Sequence, residues 1–248
     1  MSKFQTANRL LLALSAAELR LLGTLELVSF ALGQPLERRG LDTAYAHFIE
    51  TGLASVVVTG DDRPAEAGLV GPEGFIATGL VANDRRAAFD SMMQIEGTAR
   101  RVSADQFLAA IAASSTLRLR LQRYVRALTI QTSYTAWSNG NSVLEDRLAR
   151  WLLMVSDRVG LTFNITHEYI SVMLAVRRSG VTISIQALEG KGYIRVARGQ
   201  IFITNREGLL RQAGAGYGPP EAEYERLLGP PIVSSAANQS HEPVLRST

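Results

Sequence analysis

The chain has 248 residues, of which 46% are hydrophobic and 20% are charged, and it contains no cysteine. This composition is that of a globular protein large enough for two modest cores, and it excludes disulfides, thiolate metal sites and cysteine-ligated iron–sulfur clusters. The net charge is only +3, but residues 142–215 hold ten basic and six acidic side chains. Because neither a run of 18 apolar residues nor a signal-peptide pattern is found, we expect a cytoplasmic protein without membrane contact.

The N-terminal part of the chain predicts one short helix and then a β-domain. Ser15 and Glu18 form a capping box, so a helix should begin there and end near Leu22. From there to about residue 102, short β-prone runs alternate with Gly, Pro and Asp turns, which indicates an antiparallel β-roll. Strands are predicted at 27–30, 44–49, 54–59 and 67–70, with a hairpin turn at 60–63. A capping box at 103–106 then opens a short helix, and the first predicted domain covers residues 1–113.

A long helix is predicted from Ser114 to about Ser138, followed by a hinge at 139–141, where Asn and Gly tolerate positive φ. Along this helix, side chains recur at alternating steps of four and three, a spacing typical of a narrow helix–helix seam. The first four residues of the seam are Leu117, Leu121, Tyr124 and Leu128. Two partners remain open for this seam: the same helix of a second subunit, or the β-roll of the same chain.

A pair of short amphipathic helices is predicted between Thr166 and Gly190, after a further helix that begins with a capping box at 142–145. Thr166 is the expected N-cap, and Ala175 is the small residue expected where the two helices approach each other. The second helix should bury Val181, Ile185 and Leu188. Its opposite face carries hydrogen-bonding side chains: Arg177, Arg178, Ser179, Thr182, Ser184 and Gln186.

A basic hairpin follows, with strands at 193–196 and 201–204 around a turn that contains Gly199. A helix pair followed by such a hairpin is the layout of a winged helix-turn-helix, which lays its second helix in the major groove of DNA and its wing against the backbone. The alternative is an ordinary helical packing unit with a solvated basic face, but Arg195 and Arg198 in the hairpin favour DNA. A capping box at 204–207 predicts one more helix, and 216–248 is expected to be a partly disordered tail.

A family resemblance becomes visible in residues 165–204. They fit the pattern I-T-x-E-x-I-x-x-x-L-x-V-R-R-x-x-V-T, then A-L-E-x-x-G-x-I, then R-G-x-I-x-I. This pattern resembles the C-terminal domain of the Crp/Fnr family of bacterial transcription regulators, and a weaker likeness extends back to about Asn8. The resemblance implies an α+β fold: an N-terminal antiparallel β-roll like a cyclic-nucleotide-binding jelly roll, a long dimerisation helix (114–141) and a C-terminal winged helix-turn-helix (142–215).

The resemblance also implies an effector site, because residues 71–88 are similar to the family's phosphate-binding cassette. In members that bind cyclic nucleotides, a Gly-Glu pair holds the ribose, and an Arg followed by Ser or Thr holds the cyclic phosphate. Here Phe75 follows Gly74, and Arg86 follows Arg85. A phenyl ring cannot accept the hydrogen bond of a ribose hydroxyl, so we do not expect control by cyclic AMP. A different small-molecule effector in the β-roll remains an alternative.

No catalytic or metal-binding residues are predicted, and no cofactor is expected. A haem would need an axial histidine, for which His47 is the one candidate outside the helix pair and the tail, and a lone histidine beside a strand is more typical of a core or surface residue. Glu66, Glu73 and Asp84 are interpreted as solvated loop acids. A cupin-like enzyme is therefore the least favoured alternative, since such an enzyme clusters histidines and carboxylates around a metal.

The favoured interpretation is a homodimeric transcription regulator that binds double-stranded DNA sequence-specifically, and not an enzyme. The start of a recognition helix faces base edges, which nominates Arg178, Ser179 and Thr182. Thr166, Arg177, Arg195 and Arg198 are the candidate phosphate contacts. Nucleotide-activated members of the family read DNA with R-E-x-x-x-R in this helix. Arg178 matches the first position, whereas Ser179 and Ile183 depart from the pattern, so we expect a different operator.

Overall fold

The computed structural model describes residues 4–60 and 64–230, which begin with two short helices. In α1 (Arg9–Leu12), the side-chain oxygen of Asn8 accepts hydrogen bonds from the first backbone N–H groups. α2 (Ala16–Leu22) begins at the predicted capping box, in which Ser15 and Glu18 satisfy each other's backbone N–H groups. The prediction of α2 is therefore confirmed, whereas α1 was not predicted.

Strands of the β-roll follow in two antiparallel four-stranded sheets, ordered β1-β8-β3-β6 and β2-β7-β4-β5. The strands are β1 (Glu26–Phe30), β2 (Pro35–Glu37), β3 (Tyr45–Ile49), β4 (Leu53–Thr59), β5 (Pro64–Val70), β6 (Phe75–Ile76), β7 (Asp90–Ile95) and β8 (Gly97–Ser103). The four predicted strands correspond to β1, β3, β4 and β5, and the other four were not predicted. Three residues of the predicted hairpin turn, 61–63, lie outside the described residues.

Aromatic side chains from β3, β6 and the helix that follows the strands cluster in the core of the β-roll. The Phe75 ring lies 5.3 Å from the Phe48 ring and 5.7 Å from the Phe107 ring, measured between centroids. Phe107 belongs to α3 (Ala104–Ala113), whose first turn is capped by the Ser103 hydroxyl. The side chain of Gln106 does not close the predicted capping box, because it donates a hydrogen bond to the carbonyl of Leu21 instead.

The long helix α4 (Ser115–Asn141) begins where it was predicted, with Ser114 as its N-cap. Leu117, Leu121 and Tyr124 are at most 2% exposed within the β-roll core, and Leu128 packs against that core. The seam therefore lies on the chain's own β-roll, the second of the two predicted alternatives. Assigning these four residues to a dimer contact was wrong, because their side chains are covered by their own subunit.

The predicted hinge at 139–141 is the last turn of α4, and its backbone is helical. The break between helices falls instead at Ser142 and Val143, whose backbones are extended. α5 (Leu144–Val159) starts directly after Val143, and no side chain caps it. The capping box predicted at 142–145 was therefore wrong.

The C-terminal domain continues with three helices and a small antiparallel sheet, ordered β10-β11-β9. Its elements are β9 (Thr162–Asn164), α6 (His167–Met173), α7 (Arg178–Gly190), β10 (Ile194–Ala197), β11 (Gln200–Ile203) and α8 (Arg206–Ala213). The helix pair and the hairpin are present as predicted, and β9 is an additional strand. Asn205 caps α8, whereas the hydroxyl of the predicted cap, Thr204, donates to the carbonyl of Gly192.

A final helix, α9 (Pro219–Leu228), returns to pack along α4. Its Tyr224 and Leu228 side chains lie against the β-roll core, so this part of the predicted tail is regular structure. Residues 231–248 lie outside the described residues. Among the helices of residues 4–60 and 64–230, none is both long and apolar enough to cross a membrane.

Candidate nucleic-acid interface

The helix-turn-helix is held together by an apolar core that α5, α6 and α7 share. From α7, Val181, Ile185 and Leu188 are at most 2% exposed, as the spacing predicted. They meet the buried face of α5, which includes Leu148 and Leu152. Because this core uses one face of α7, the opposite face is open to a partner.

The turn before α7 sets where that open face begins. The Thr166 hydroxyl accepts a hydrogen bond from the N–H of Tyr169 at 3.1 Å and so fixes the start of α6. Ala175, in the turn, has a φ of +52° and is exposed. Ala175 was predicted to lie where the two helices approach each other, but its exposure shows that it does not. A small side chain there limits the strain of a left-handed backbone.

The first turn of α7 exposes the residues that were predicted to read bases. Arg178 and Ser179 are both exposed, and Arg177 is exposed at the N-cap position. The Arg178 guanidinium lies 4.0 Å from the Glu168 carboxylate, and both side chains are 69% exposed. Such a solvated pair is weak, so Arg178 can exchange it for another acceptor at little cost.

Two of the six residues predicted for the open face are not freely available. The Thr182 hydroxyl donates to the carbonyl of Arg178 at 3.2 Å and lies 3.1 Å from Nδ1 of His167. Ser184 is only 4% exposed and faces the core, contrary to the prediction. The middle of the open face is instead occupied by Ile183, which is 65% exposed, with Gln186 exposed one turn further on.

The hairpin presents two arginines beside the open face of α7. The Arg195 guanidinium stacks over the Phe202 ring, 4.0 Å from its centroid. Arg198 and Gly199 both have positive φ values, +52° and +76°, so Arg198 is held at the tip of the turn. The N–H of Val196 donates to the Glu189 carboxylate at 2.8 Å, which ties the hairpin to the end of α7.

Three arginines of this surface have no carboxylate partner. Within the described part of the chain, no carboxylate lies within 4 Å of a guanidinium nitrogen of Arg177, Arg195 or Arg198. Exposed arginines of this kind can each donate paired hydrogen bonds to a phosphate. Arg177, Arg178, Ser179, Arg195 and Arg198 are exposed as their predicted role requires. The sequence analysis did not include Ile183 on this face, where the structure exposes it.

Part of the predicted effector cassette lies in the packing between the β-roll and α4. Phe75 is fully buried, and its ring lies 5.1 Å from the Tyr124 ring of α4. A Cβ atom at Gly74 would overlap the Tyr124 hydroxyl, so this glycine is needed for the packing of α4 on the β-roll. Gly74 and Phe75 are therefore core residues, and neither presents a polar group for a ribose.

The two cassette arginines point to different places. Arg85 forms an ion pair with Asp105 of α3, whereas Arg86 lines a cavity of about 350 Å³ between the β-roll and α4. The cavity wall also holds the Glu37 carboxyl, which accepts a hydrogen bond from Thr43 at 2.8 Å. Burial raises the pKa of Glu37. Arg86, which stands at the position of the family's hydroxyl residue, therefore lines the cavity together with Glu37, whereas Arg85, at the position of the phosphate arginine, does not.

Two of the three acids interpreted as solvated loop residues are instead buried where the β-roll meets α5. The Glu66 carboxyl accepts hydrogen bonds from Nε1 of Trp151 at 2.9 Å and from the Ser55 hydroxyl at 2.7 Å. Glu73 pairs with Arg158 of α5 at 2.7 Å, and both side chains are about one-tenth exposed. Burial raises the pKa of Glu66 to about 7, despite the hydrogen bonds that favour its charged form. Asp84 is exposed, as predicted.

His47 is a core residue. It is 5% exposed, and its ring meets the edge of the Phe30 ring at 5.4 Å. Burial and the neighbouring Arg101 lower the pKa of His47 to about 4. Across the described ranges, His, Asp and Glu side chains nowhere gather in a group of three that could bind a metal.

Comparison with known proteins agrees with this geometry. Residues 146–212 match the model of the Crp-like helix-turn-helix domain. A CRP-family transcriptional regulator from Thermus thermophilus is 21% identical, over 76% of this chain and 97% of its own, with a TM-score of 0.63. FixK2 from Bradyrhizobium japonicum is 15% identical, over 77% and 98% of the two chains, with a TM-score of 0.68.

A third similar structure is a CooA variant from Carboxydothermus hydrogenoformans, which is 11% identical over 85% of this chain and 96% of its own, with a TM-score of 0.60. No curated protein matches the chain by sequence. At these identities the structural likeness establishes the fold, which includes the β-roll, α4 and the helix-turn-helix. Residues 146–212 are therefore a Crp-like helix-turn-helix domain, and the chain has the fold of the Crp/Fnr transcription regulators.

Proposed function

We propose that this protein is a transcription regulator that binds double-stranded DNA sequence-specifically through residues 142–215. The observation that carries the proposal is the open face of α7, which is flanked by uncompensated arginines before the helix and on the hairpin. A helix of this kind enters the major groove, and the hairpin follows the sugar–phosphate backbone. The match of 146–212 to a Crp-like helix-turn-helix domain supports the same function.

The roles of the individual residues follow from their exposure. Arg178 and Ser179 read base edges, with Arg178 as the bidentate guanine reader. Arg177, Arg195, Arg198 and the hydroxyl of Thr166 donate hydrogen bonds to phosphates. Thr182 chiefly positions the first turn of α7, because its hydroxyl already donates a hydrogen bond to the Arg178 carbonyl.

The test is a selection of random duplex DNA by the purified protein without added nucleotide, followed by sequencing. A two-fold symmetric motif with half-sites about one helical turn apart is the expected result for a dimer. Binding to that motif should weaken steeply with salt, since each phosphate contact releases a counterion. Failure to enrich any motif, with or without cyclic AMP, would contradict sequence-specific binding by the protein without a further effector.

The regulator acts as a homodimer in this proposal, through a face of α4 that the sequence did not single out. Seven exposed residues recur on it at alternating steps of three and four: Leu119, Gln122, Arg126, Thr129, Ser133, Ala136 and Gly140. This spacing suits a second helix crossing at a shallow angle. Leu119 is 48% exposed, and Trp137 beside the row is 44% exposed.

The proposed regulator does not respond to cyclic AMP. Phe75 is buried, Arg85 does not line the cavity behind the cassette, and the wall of that cavity holds the Glu37 carboxyl, which repels a phosphate when it is ionised. That cavity supports a second candidate: the same DNA-binding scaffold gated by another small molecule. Calorimetry with cyclic AMP should show no heat of binding, and a nucleotide affinity in the micromolar range would reject this part of the proposal.

A further inference from the structure

Ile183 is exposed at the centre of an otherwise polar helix face. Its side chain is 65% exposed, whereas the other apolar residues of α7, Val181, Ile185 and Leu188, are at most 2% exposed. Ser179 precedes it by four residues and Gln186 follows it by three, so the three side chains form one row along the helix. An isoleucine left in water here is not explained by the packing of its own domain.

The neighbours of Ile183 offer few hydrogen bonds of their own. The adjacent Thr182 hydroxyl is engaged by the Arg178 carbonyl and the His167 ring. Ser184, on the other side, is buried. The middle of the helix therefore presents the apolar side chain of Ile183 between polar ones. A base that Ile183 contacts must offer an apolar group.

In the major groove, one base feature is apolar: the 5-methyl group of thymine. We infer that Ile183 contacts the 5-methyl group of one thymine in each half-site and makes that position specific for thymine. This inference rests on the proposed binding of α7 in the major groove, and it names a base that the helix reads. The branched side chain is stiff, so the contact requires little loss of side-chain freedom.

The experiment uses the full chain and its selected duplex, with each thymine of a half-site replaced in turn by deoxyuridine. This replacement removes one methyl group and leaves every hydrogen-bonding edge unchanged. For the wild-type protein, we expect the affinity to fall about fourfold at a single position, as the burial of one methyl group implies. Ile183→Ala removes the contact in both subunits, so it should bind the thymine site about as weakly as the wild type binds a site with uracil in both half-sites, and it should be insensitive to the replacement.

Leu32→Ala is the matched control, because Leu32 is also an exposed apolar residue, at 61%, but lies in the β-roll. It should keep both the affinity and the uracil sensitivity of the wild type.

If Ile183→Ala retains full sensitivity at every thymine, or if the half-site contains no sensitive thymine, the inference is wrong while the proposed function stands. If no DNA motif is enriched at all, the proposed function itself fails. An unchanged melting temperature of Ile183→Ala would show that any loss of affinity is not caused by unfolding.

Discussion

At the scale of single residues, Arg178 is the side chain whose removal should change specificity most. Its guanidinium is exposed at the first turn of α7 and is held only by a 4.0 Å pair with Glu168. Arg178→Ala should cost about 1–3 kcal/mol on the specific site and relax the preference at one base pair. Competition binding against single-base variants of the site measures both effects.

Arg20→Ala, an exposed arginine of α2, serves as the control and should leave binding unchanged. A uniform loss of affinity for Arg178→Ala across all sequences, with the preference intact, would instead identify Arg178 as a phosphate contact.

Glu66 and His47 should change the free energy of unfolding in opposite directions as pH rises. The pKa of Glu66 is raised from 4.5 to about 7 in the folded protein. As pH rises from about 4.5 to 7, the unfolded chain therefore loses this proton before the folded chain does, and the free energy of unfolding falls. The pKa of His47 is lowered from 6.5 to about 4, so the unfolded chain gains this proton first and the free energy of unfolding falls as pH drops from about 6.5 to 4. Each effect is worth roughly 3 kcal/mol, and they oppose each other between pH 4.5 and 6.5.

Glu66→Gln should remove the first effect and retain the second. We expect the free energy of unfolding of this variant to rise with pH between 4.5 and 6.5, where that of the wild type changes little. Urea denaturation at half-unit pH steps measures it, with the exposed Glu207→Gln as the control. A variant profile parallel to that of the wild type would show that Glu66 ionises normally in the folded protein.

At the scale of elements, local signals located most helix starts and few of the strands. The capping residues Ser15, Ser114 and Thr166 begin helices as predicted, because an N-cap bond is made within four residues of sequence. β7 and β8 were missed, since D-S-M-M-Q-I and G-T-A-R-R-V-S lack the alternation of a half-buried strand. Their pairing with strands 33 to 58 residues away holds them in the sheets.

The exposed row of α4 can be tested as the dimer contact. Ser133→Glu places a charge in the middle of this row, where the same side chain of a second subunit would face it, so the dimer should dissociate. Sedimentation velocity at micromolar concentration measures the change. Arg123→Glu lies on α4 but outside the row, and this control should leave the protein dimeric. A Ser133→Glu protein that sediments as the wild type would place the interface elsewhere.

At the scale of the whole molecule, the contacts between the domains could not be predicted from the sequence. Glu66 and Trp151 are 85 residues apart, as are Glu73 and Arg158, and nothing near Glu66 or Glu73 in sequence distinguishes a buried acid from a solvated one. Leu53 and Leu69 of the β-roll also belong to the apolar core of the C-terminal domain. The family pattern indicated the order of the domains, but only the folded chain reveals that the C-terminal core extends into the β-roll.

Tyr224 links the last helix to the rest of the molecule and offers a test of that connection. Its hydroxyl donates to the Glu73 carbonyl at 2.6 Å, and the Arg9 guanidinium lies over its ring at 4.7 Å. Tyr224→Phe should lower the free energy of unfolding by about 1 kcal/mol through the lost hydrogen bond. Tyr224→Ala should lower it by about 3 kcal/mol, since the packing of the ring is also lost. If both variants unfold at the wild-type urea concentration, α9 contributes no stability to the fold.

The contact of Arg9 with Tyr224 and with the Gly229 carbonyl brings the two ends of the described chain together. A ribosome makes α1 first and α9 last, so the β-roll cannot acquire its final cover until nearly the whole chain has been synthesised. α8 ends at Ala213 and α9 begins at Pro219, so the helix-turn-helix and this closing helix leave the ribosome almost together. A chain shortened to end before α9 would keep every helix of the helix-turn-helix and lose the last cover of the β-roll core.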